Sequence, residues 1–368
     1  MTTATTDDIG ARLLARTLAF VDIPSVGEDE AAILAAVRET LPGAPFLVAD
    51  EEDAVLFLAP ERHEDGRPFV IVAGHVDTVP PNGNSLGRLD GEAVVGRGAA
   101  DMKGALAVMV ELAGALATRP DAAAVDVGFL FFGREELPIT RSALLPLFGR
   151  CSIVRDADLA IVMEPTANAI EVGCLGNLNA MITVRGEAAH TARPWLGRNA
   201  IHGAIRALAP VVDLAPRDVE IDGLVYREVV SVTSVTAGIA GNVVPDHAEA
   251  RVNFRYAPTR SPDDAEAYLR GLLDHADAVF EVIADAPPGP VAVRHALVER
   301  LRAAGDLEVR PKQAWTPVAE FATIGVPAVN FGPGDPQYAH RDDERVDGSA
   351  LVRSYEVLRA FLAAREVG

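Results

Sequence analysis

The sequence predicts an α/β domain interrupted by an inserted α+β domain. Three observations carry this. The chain has 368 residues, long for a single core. Continuous apolar runs of strand length, Phe69–Ala73, Val125–Phe132 and Leu159–Met163, alternate with helical stretches, as in a sheet covered on both faces. Past about residue 175 the runs instead alternate apolar and polar, the pattern of strands with one covered face.

In order, apolar spacing predicts helices over Ile9–Phe20 and Glu28–Thr40, then strands over 54–58 and 69–73. MKGALAVMVELAGALA, Met102 to Ala117, is small, apolar and helical in period, suited to packing on a sheet. Strands follow at 125–132 and 159–163. Then 179–184 alternates, Asn199 opens a helix to Asp213, and 229–235 and 248–256 alternate again. Ser261 caps a helix to about Ala276, and 278–283 is a last alternating strand. That β-α-β-β-α-β order is ferredoxin-like. Proline-rich Ala286–Pro290 reads as the return linker, and 292–304, 325–331 and 348–364 resume the α/β character. The expected division is 1–174 and 286–368 for the α/β domain and 175–285 for the insertion.

Composition narrows the function. At 49% hydrophobic the chain can bury sizeable cores, and with only 5% aromatics these must be mostly Ala, Val, Leu and Ile. A net charge of −20 disfavours nucleic-acid phosphates and anionic membranes as partners. Cys151 and Cys174 form no C-x-x-C pair and no disulfide framework, which points to a reducing compartment. The start, MTTATTDD, has neither a basic nor an apolar targeting region, and no run reaches the ~18 apolar residues of a membrane span. A soluble, cytoplasmic protein is expected.

The chemistry lies at strand ends. His75 and Asp77 follow one predicted strand, Glu135 and Glu136 a second, Glu164 a third, and His340 lies beyond a fourth. Asp101 stands where the Met102 helix begins. In open α/β sheets the crevice outside the strands' carboxyl ends is the ligand site. Taken singly, each residue has an ordinary reading: a solvated Glu-Glu, a capped turn at Glu164, an N-cap at Asp101. Together they place many carboxylates in one crevice, where they repel unless a cation lies among them. Two imidazoles with carboxylates and no nearby cysteine suit Zn2+ or a similar first-row metal.

GHVDTV, GRGAADMKGA, REE, EPT and the late His resemble the co-catalytic zinc family of aminoacylases, deacylases and carboxypeptidases, over essentially the whole chain. The resemblance implies a zinc-peptidase-like catalytic domain, with a mixed sheet flanked by helices, and an inserted lid that dimerises. It implies two zinc ions per subunit, replaceable by Co2+. His75, Asp101 and Glu164 would hold one; Asp101, Glu136 and His340 would hold the other. Asp101 would bridge, with a cis peptide to Met102. Asp77 would orient His75, and Glu135 would be the general base. His190, in GEAAHTARP, would reach in from the partner of a homodimer. Asn242 in AGNVVP and Arg255 in NFRY match lid residues that contact substrate.

Within the family, WLGRNAIH, DGLVYRE, GVPAVNFGPGDP and AHRDDERV resemble the actinobacterial desuccinylase branch. That implies hydrolysis of N-succinyl-LL-2,6-diaminopimelate to succinate and LL-2,6-diaminopimelate. In WTPVAEF, Thr316 keeps the branch's usual residue, but Glu320 stands where an arginine is usual beside the substrate carboxylates, removing a bidentate partner. Gly173–Gly176 and LPITRSALL depart as well. The alternatives are a related N-acyl amino acid deacylase, such as an acetylornithine deacetylase, a metallocarboxypeptidase, or a metal-dependent binding homologue without turnover. Retention of Glu135 beside five ligands argues against the last.

Overall fold

In the computed structural model, which describes residues 6–41, 46–51, 55–60, 66–118 and 123–363, three strands buried at every position run parallel side by side. They are Asp126–Phe132, Phe69–His75 and Leu159–Val162. Burial on both faces explains their unbroken apolar sequences. They form the middle of an eight-stranded sheet in the order 46–51, 55–60, 126–132, 69–75, 159–162, 328–330, 170–172, 309–311. Antiparallel neighbours on either side make the sheet mixed.

The described chain divides into two compact units, one of Met1–Val172, Ala292–Arg310 and Thr316–Gly368, the other of Gly173–Val291 and Pro311–Trp315. In the first, helices Thr6–Val21, Gly104–Thr118 and Gly348–Leu362 pack on one another, and Gly104–Thr118 lies on strands Phe69–His75 and Asp126–Phe132. The approach is close beside His75. A Cβ on Gly74 would stand 2.8 Å from Met102 Cε and 2.9 Å from Met109 Sδ, so any larger residue before that histidine would have to displace these side chains. Helix Ala31–Thr40 packs near Val55–Pro60, and Val318–Ala322 near Leu159–Val162 and Ala328–Asn330.

The helix expected from Met102 starts two residues later, at Gly104. Ala99–Lys103 is an irregular turn in which Asp101 (φ −125°, ψ 90°) and Met102 (φ −135°, ψ 36°) leave the helical region. The Asp101–Met102 peptide is cis, as the resemblance implies. Asp101 is therefore not a helix cap. The helix expected from Glu28 starts at Ala31, after a turn in which Glu28 has φ 77°. Of the strand expected over 54–58, Ala54 lies outside the described residues and the strand is Val55–Pro60. A small sheet, Arg88–Asp90, Ala93–Val95 and Arg345–Asp347, joins the segment after His340 to the one before Asp101.

The second unit is ferredoxin-like with one addition. Its antiparallel sheet runs 217–221, 224–237, 247–256, 176–185, 278–286. Gly176–Arg185 and His247–Tyr256 alternate buried and less buried residues. The buried set packs with helices Ala200–Val212 and Pro262–Leu272 in one core. Asn199 caps the first helix through His202 N–H, and Ser261 with Asp264 forms a capping box on the second. The addition is strand Arg217–Ile221. It turns into Leu224–Ala237 through Asp222 (φ 51°) and Gly223 (φ 80°), the two positive φ values of a tight hairpin. No helix among the described residues is long and apolar enough to cross a membrane.

Candidate metal centre

The first unit gathers His75, Asp77, Asp101, Glu135, Glu136, Glu164 and His340 into one cluster. His75 ends the central strand and is fully buried. Its Nδ1 lies 3.0 Å from the Asp77 backbone carbonyl and its Nε2 2.9 Å from Asp101 Oδ1, with Glu164 Oε1 at 3.9 Å. A carbonyl only accepts, so Nδ1 carries a proton. In a neutral imidazole Nε2 is then a lone pair aimed at a carboxylate. Such an acceptor–acceptor contact needs a proton or a cation between the two atoms. On the other side of Asp101, His340 Nε2 lies 3.4 Å from Oδ2 and 2.9 Å from Glu136 Oε1. Each Asp101 oxygen thus faces a different imidazole.

The electrostatics agree. Burial alone would push the His75 imidazole down, but its hydrogen bonds with Asp101 and Asp77 hold it well above the usual range. Hydrogen bonds with Asp101 and Glu136 push His340 up to about 10. Burial would raise Asp101, but the two histidines hold it well below the usual carboxylate range. Burial and the neighbouring Glu164 carboxylate push Glu135 well up. Imidazolium charge is what reconciles these carboxylates here, and a divalent cation can take the same place. Ligand atoms of His75, Asp101 and Glu136 lie within 4.8 Å of one another, as do those of His75, Glu135 and Glu164. Both groups are nitrogen and oxygen donors without thiolate, so the residues fit a first-row divalent metal. The second group includes Glu135, so distance alone does not separate the expected base from the expected ligands.

Asp77 meets more than the His75 ring. It is fully buried, and its two oxygens accept the backbone N–H groups of Glu135 (3.1 Å) and Glu136 (3.0 Å). Glu344 carries no signal within the acidic run RDDER, yet it is 1% exposed. Its carboxylate pairs with Arg97 and accepts the backbone N–H of Asp101.

The remaining expected residues divide between the units. Thr316 and Glu320 belong to the first and are buried. The Glu320 carboxyl accepts a hydrogen bond from Ser142 Oγ, and burial pushes its pKa up to about 7. His190, Asn242 and Arg255 belong to the second. His190 lies on strand Ala189–His190, paired with Val243–Val244, and Thr191 N–H donates to the Asn242 carbonyl at 3.1 Å, so His190 and Asn242 share one small ribbon. His190 is exposed and its Nδ1 accepts from Ala192 N–H, which leaves Nε2 as an outward donor in the neutral ring. Arg255 is half-buried, and burial lowers its pKa. With Leu175, Val225, Arg227, Val229 and Gln313 it lines a cavity of about 460 Å³ in the second unit.

A Mycobacterium tuberculosis (strain ATCC 25618 / H37Rv) protein provisionally named succinyl-diaminopimelate desuccinylase DapE is 40% identical over 354 residues, covering 94% of this chain and 96% of its own. The succinyl-diaminopimelate desuccinylase of Corynebacterium glutamicum is 35% identical over 298 residues, 80% of each chain. The crystal structure of aminopeptidase PepT from Bacillus cereus ATCC 10987 shares the fold with a TM-score of 0.78 at 20% identity, covering 96% of this chain and 98% of its own. Residues 71–364 match the model of peptidase family M20/M25/M40, a span that begins in the central strand and takes in every residue of the cluster. With that match and those identities, the chain belongs to peptidase family M20/M25/M40.

Proposed function

We propose that the chain hydrolyses the amide bond of N-succinyl-LL-2,6-diaminopimelate, releasing succinate and LL-2,6-diaminopimelate, at a centre that holds two zinc ions. The observation that carries the reaction class is Asp101, whose two carboxylate oxygens face His75 and His340 separately. That is the arrangement of a carboxylate shared between two cation positions. His75, Asp101 and Glu164 would hold one ion and Asp101, Glu136 and His340 the other. Two names among the relatives support the substrate.

When bound, the metal pair supplies a Lewis acid for the scissile carbonyl and makes water more acidic at neutral pH. The chain's own groups do the rest. Asp77 holds the His75 ring and both amides of the Glu135–Glu136 turn. Glu135 takes the proton of the attacking water as the new carbon–oxygen bond forms. It returns that proton to the leaving nitrogen as the amide bond breaks. Burial, with the Glu164 carboxylate beside it, pushes this carboxyl up, the direction that suits a group that takes and returns a proton. The protein acts as a homodimer through its second unit, in which the partner subunit's His190 donates to the developing oxyanion. Asn242, Arg255 and Thr316 contact the substrate.

Glu320 favours a second reading, an N-acyl amino acid deacylase of different acyl preference. Its carboxyl is buried against Ser142 and offers no cation to a substrate carboxylate. Turnover of N-succinyl-LL-2,6-diaminopimelate by the zinc-loaded protein, beside N-acetylornithine and a panel of N-acyl amino acids, separates the two. Preference for the succinyl substrate is expected. Preference for another acyl amino acid would replace the substrate and keep the centre, and full activity after metal removal would overturn the centre.

A further inference from the structure

Two ligand-bearing segments far apart in sequence, the turn carrying Asp101 and the loop carrying His340, are joined by one buried side chain. Glu344 follows His340 by four residues and is 1% exposed. One carboxylate oxygen takes the Arg97 guanidinium at 2.7 Å, and the other accepts the backbone N–H groups of Ala100 and Asp101, each at 3.2 Å. Its backbone carbonyl accepts Gly96 N–H at 2.9 Å. From there the chain enters strand Arg345–Asp347, which pairs with Ala93–Val95. Both carboxylate oxygens and the backbone carbonyl of this glutamate therefore land on residues 96–101, while its N–H donates to the Arg341 carbonyl at 3.3 Å, within its own loop. Asp101 and Met102 have backbone angles outside the helical region; Lys103 N–H closes the turn on the Gly98 carbonyl at 2.7 Å and Gly104 N–H on that of Ala99, while the N–H groups of Ala100 and Asp101 go to Glu344. An ionised carboxylate accepting two backbone N–H groups is among the strongest means of fixing such a turn.

We infer that Glu344 is a positioning residue of the metal centre, setting Asp101 and His340 at the separation the cations need. The inference rests on the metal-centre reading above. The competing account is a buried Arg97–Glu344 ion pair that serves stability only. The two differ in which contact matters for metal. Positioning needs the amide contacts of Glu344 and not Arg97; a purely structural pair needs both partners equally.

The test is Zn2+ affinity, by competition with a chromophoric chelator, on wild type, E344A, E344Q and R97Q, with melting temperatures of the zinc-free proteins. Both E344A and R97Q should melt lower, since each leaves a buried charge without its partner. E344A should bind Zn2+ about 10- to 100-fold more weakly, the usual cost of losing a group that orients a ligand. E344Q, whose amide oxygen still accepts the two N–H groups, should recover part of that loss. R97Q should keep wild-type affinity. Hydrogen exchange of the peptide spanning Ala100 and Asp101, without zinc, should be faster in E344A and unchanged in R97Q. Wild-type affinity in E344A, or equal loss in R97Q, overturns the inference while leaving the metal centre standing. If E344A does not fold, R97Q decides: retained affinity supports positioning and lost affinity refutes it. Failure of wild type to bind Zn2+ would overturn the metal-centre reading and this inference together.

Discussion

Asp77 Oδ2 accepts the backbone N–H of Glu136 at 3.0 Å, tying the end of one central strand to the turn that follows its neighbour. Through Oδ1 it holds Glu135 N–H as well, and its backbone carbonyl fixes the His75 ring. One residue thus contacts the His75 ring through its backbone and the amides of Glu135 and Glu136 through its side chain, the three groups proposed as ligand, base and ligand. D77A should weaken Zn2+ binding by about 10- to 100-fold and lower kcat/KM at saturating zinc. An asparagine accepts through one oxygen only and turns an NH2 toward the other amide, so D77N should rescue little. Chelator competition and steady-state kinetics check both. Wild-type values in D77A would reduce Asp77 to a buried structural acid.

Glu135 is pushed up by burial and by Glu164, and it lies within ligand distance of His75 and Glu164. The base assignment therefore needs a variant that separates proton transfer from ligation. E135Q keeps the shape of the side chain and removes the proton acceptor. It should lower kcat by about 10²- to 10⁴-fold, the range for a general acid–base group, while keeping two zinc ions per subunit. Kinetics and metal analysis on the same sample decide. An active variant refutes the base, and an inactive variant that has lost a zinc makes Glu135 a ligand instead.

Much of this centre was legible before any coordinates. His75, Glu135, Glu136 and Glu164 follow strands whose unbroken apolar runs come from burial on both faces, and such runs mark their own ends. Three features were not legible, each for a physical reason. The Met102 helix looked continuous because its apolar period runs through Met102, but Asp101 and Met102 lie outside the helical region and the helix begins at Gly104. Glu344 itself hides in RDDER because two of its partners are backbone amides, which leave no residue pattern, and the third, Arg97, lies 247 residues away in sequence. Strand Arg217–Ile221 is short and mostly exposed, with only Val219 and Ile221 on an apolar face partly buried against Leu175, Tyr226 and Ala257, although the Asp222-Gly223 pair is a hairpin signal that could have found it.

Removing the metal should be felt in the fold as well as in turnover. Without a cation, His75 and His340 must hold the surrounding carboxylates by hydrogen bonding alone. Zinc binds the folded centre and not the unfolded chain, so at 100 times its Kd it should add about 2.7 kcal/mol of stability. Calorimetry across a zinc series should show a melting temperature that rises with zinc and falls back on chelation. A melting temperature independent of zinc would mean that the cluster binds no metal of consequence.

Glu320 supplies a pH dependence that lies away from the metal cluster. Burial raises its folded pKa from an ordinary 4.5 to about 7, although the Ser142 hydrogen bond acts the other way. The fold therefore prefers the protonated acid. Its contribution is fully present below about pH 4.5, declines as pH rises and is lost once pH passes about 7. A gap of this size corresponds to about 3 kcal/mol. E320Q keeps a neutral side chain at every pH and removes this decline. Between pH 4.5 and 8 the wild type should therefore lose more stability than E320Q, a difference of a few degrees in melting temperature for a chain of this size. The zinc-free proteins are the ones to compare, since metal ligands titrate in the same window in both and cancel. Parallel curves for the two proteins would mean that Glu320 is ionised inside the fold. It would then be a buried anion beside Ser142.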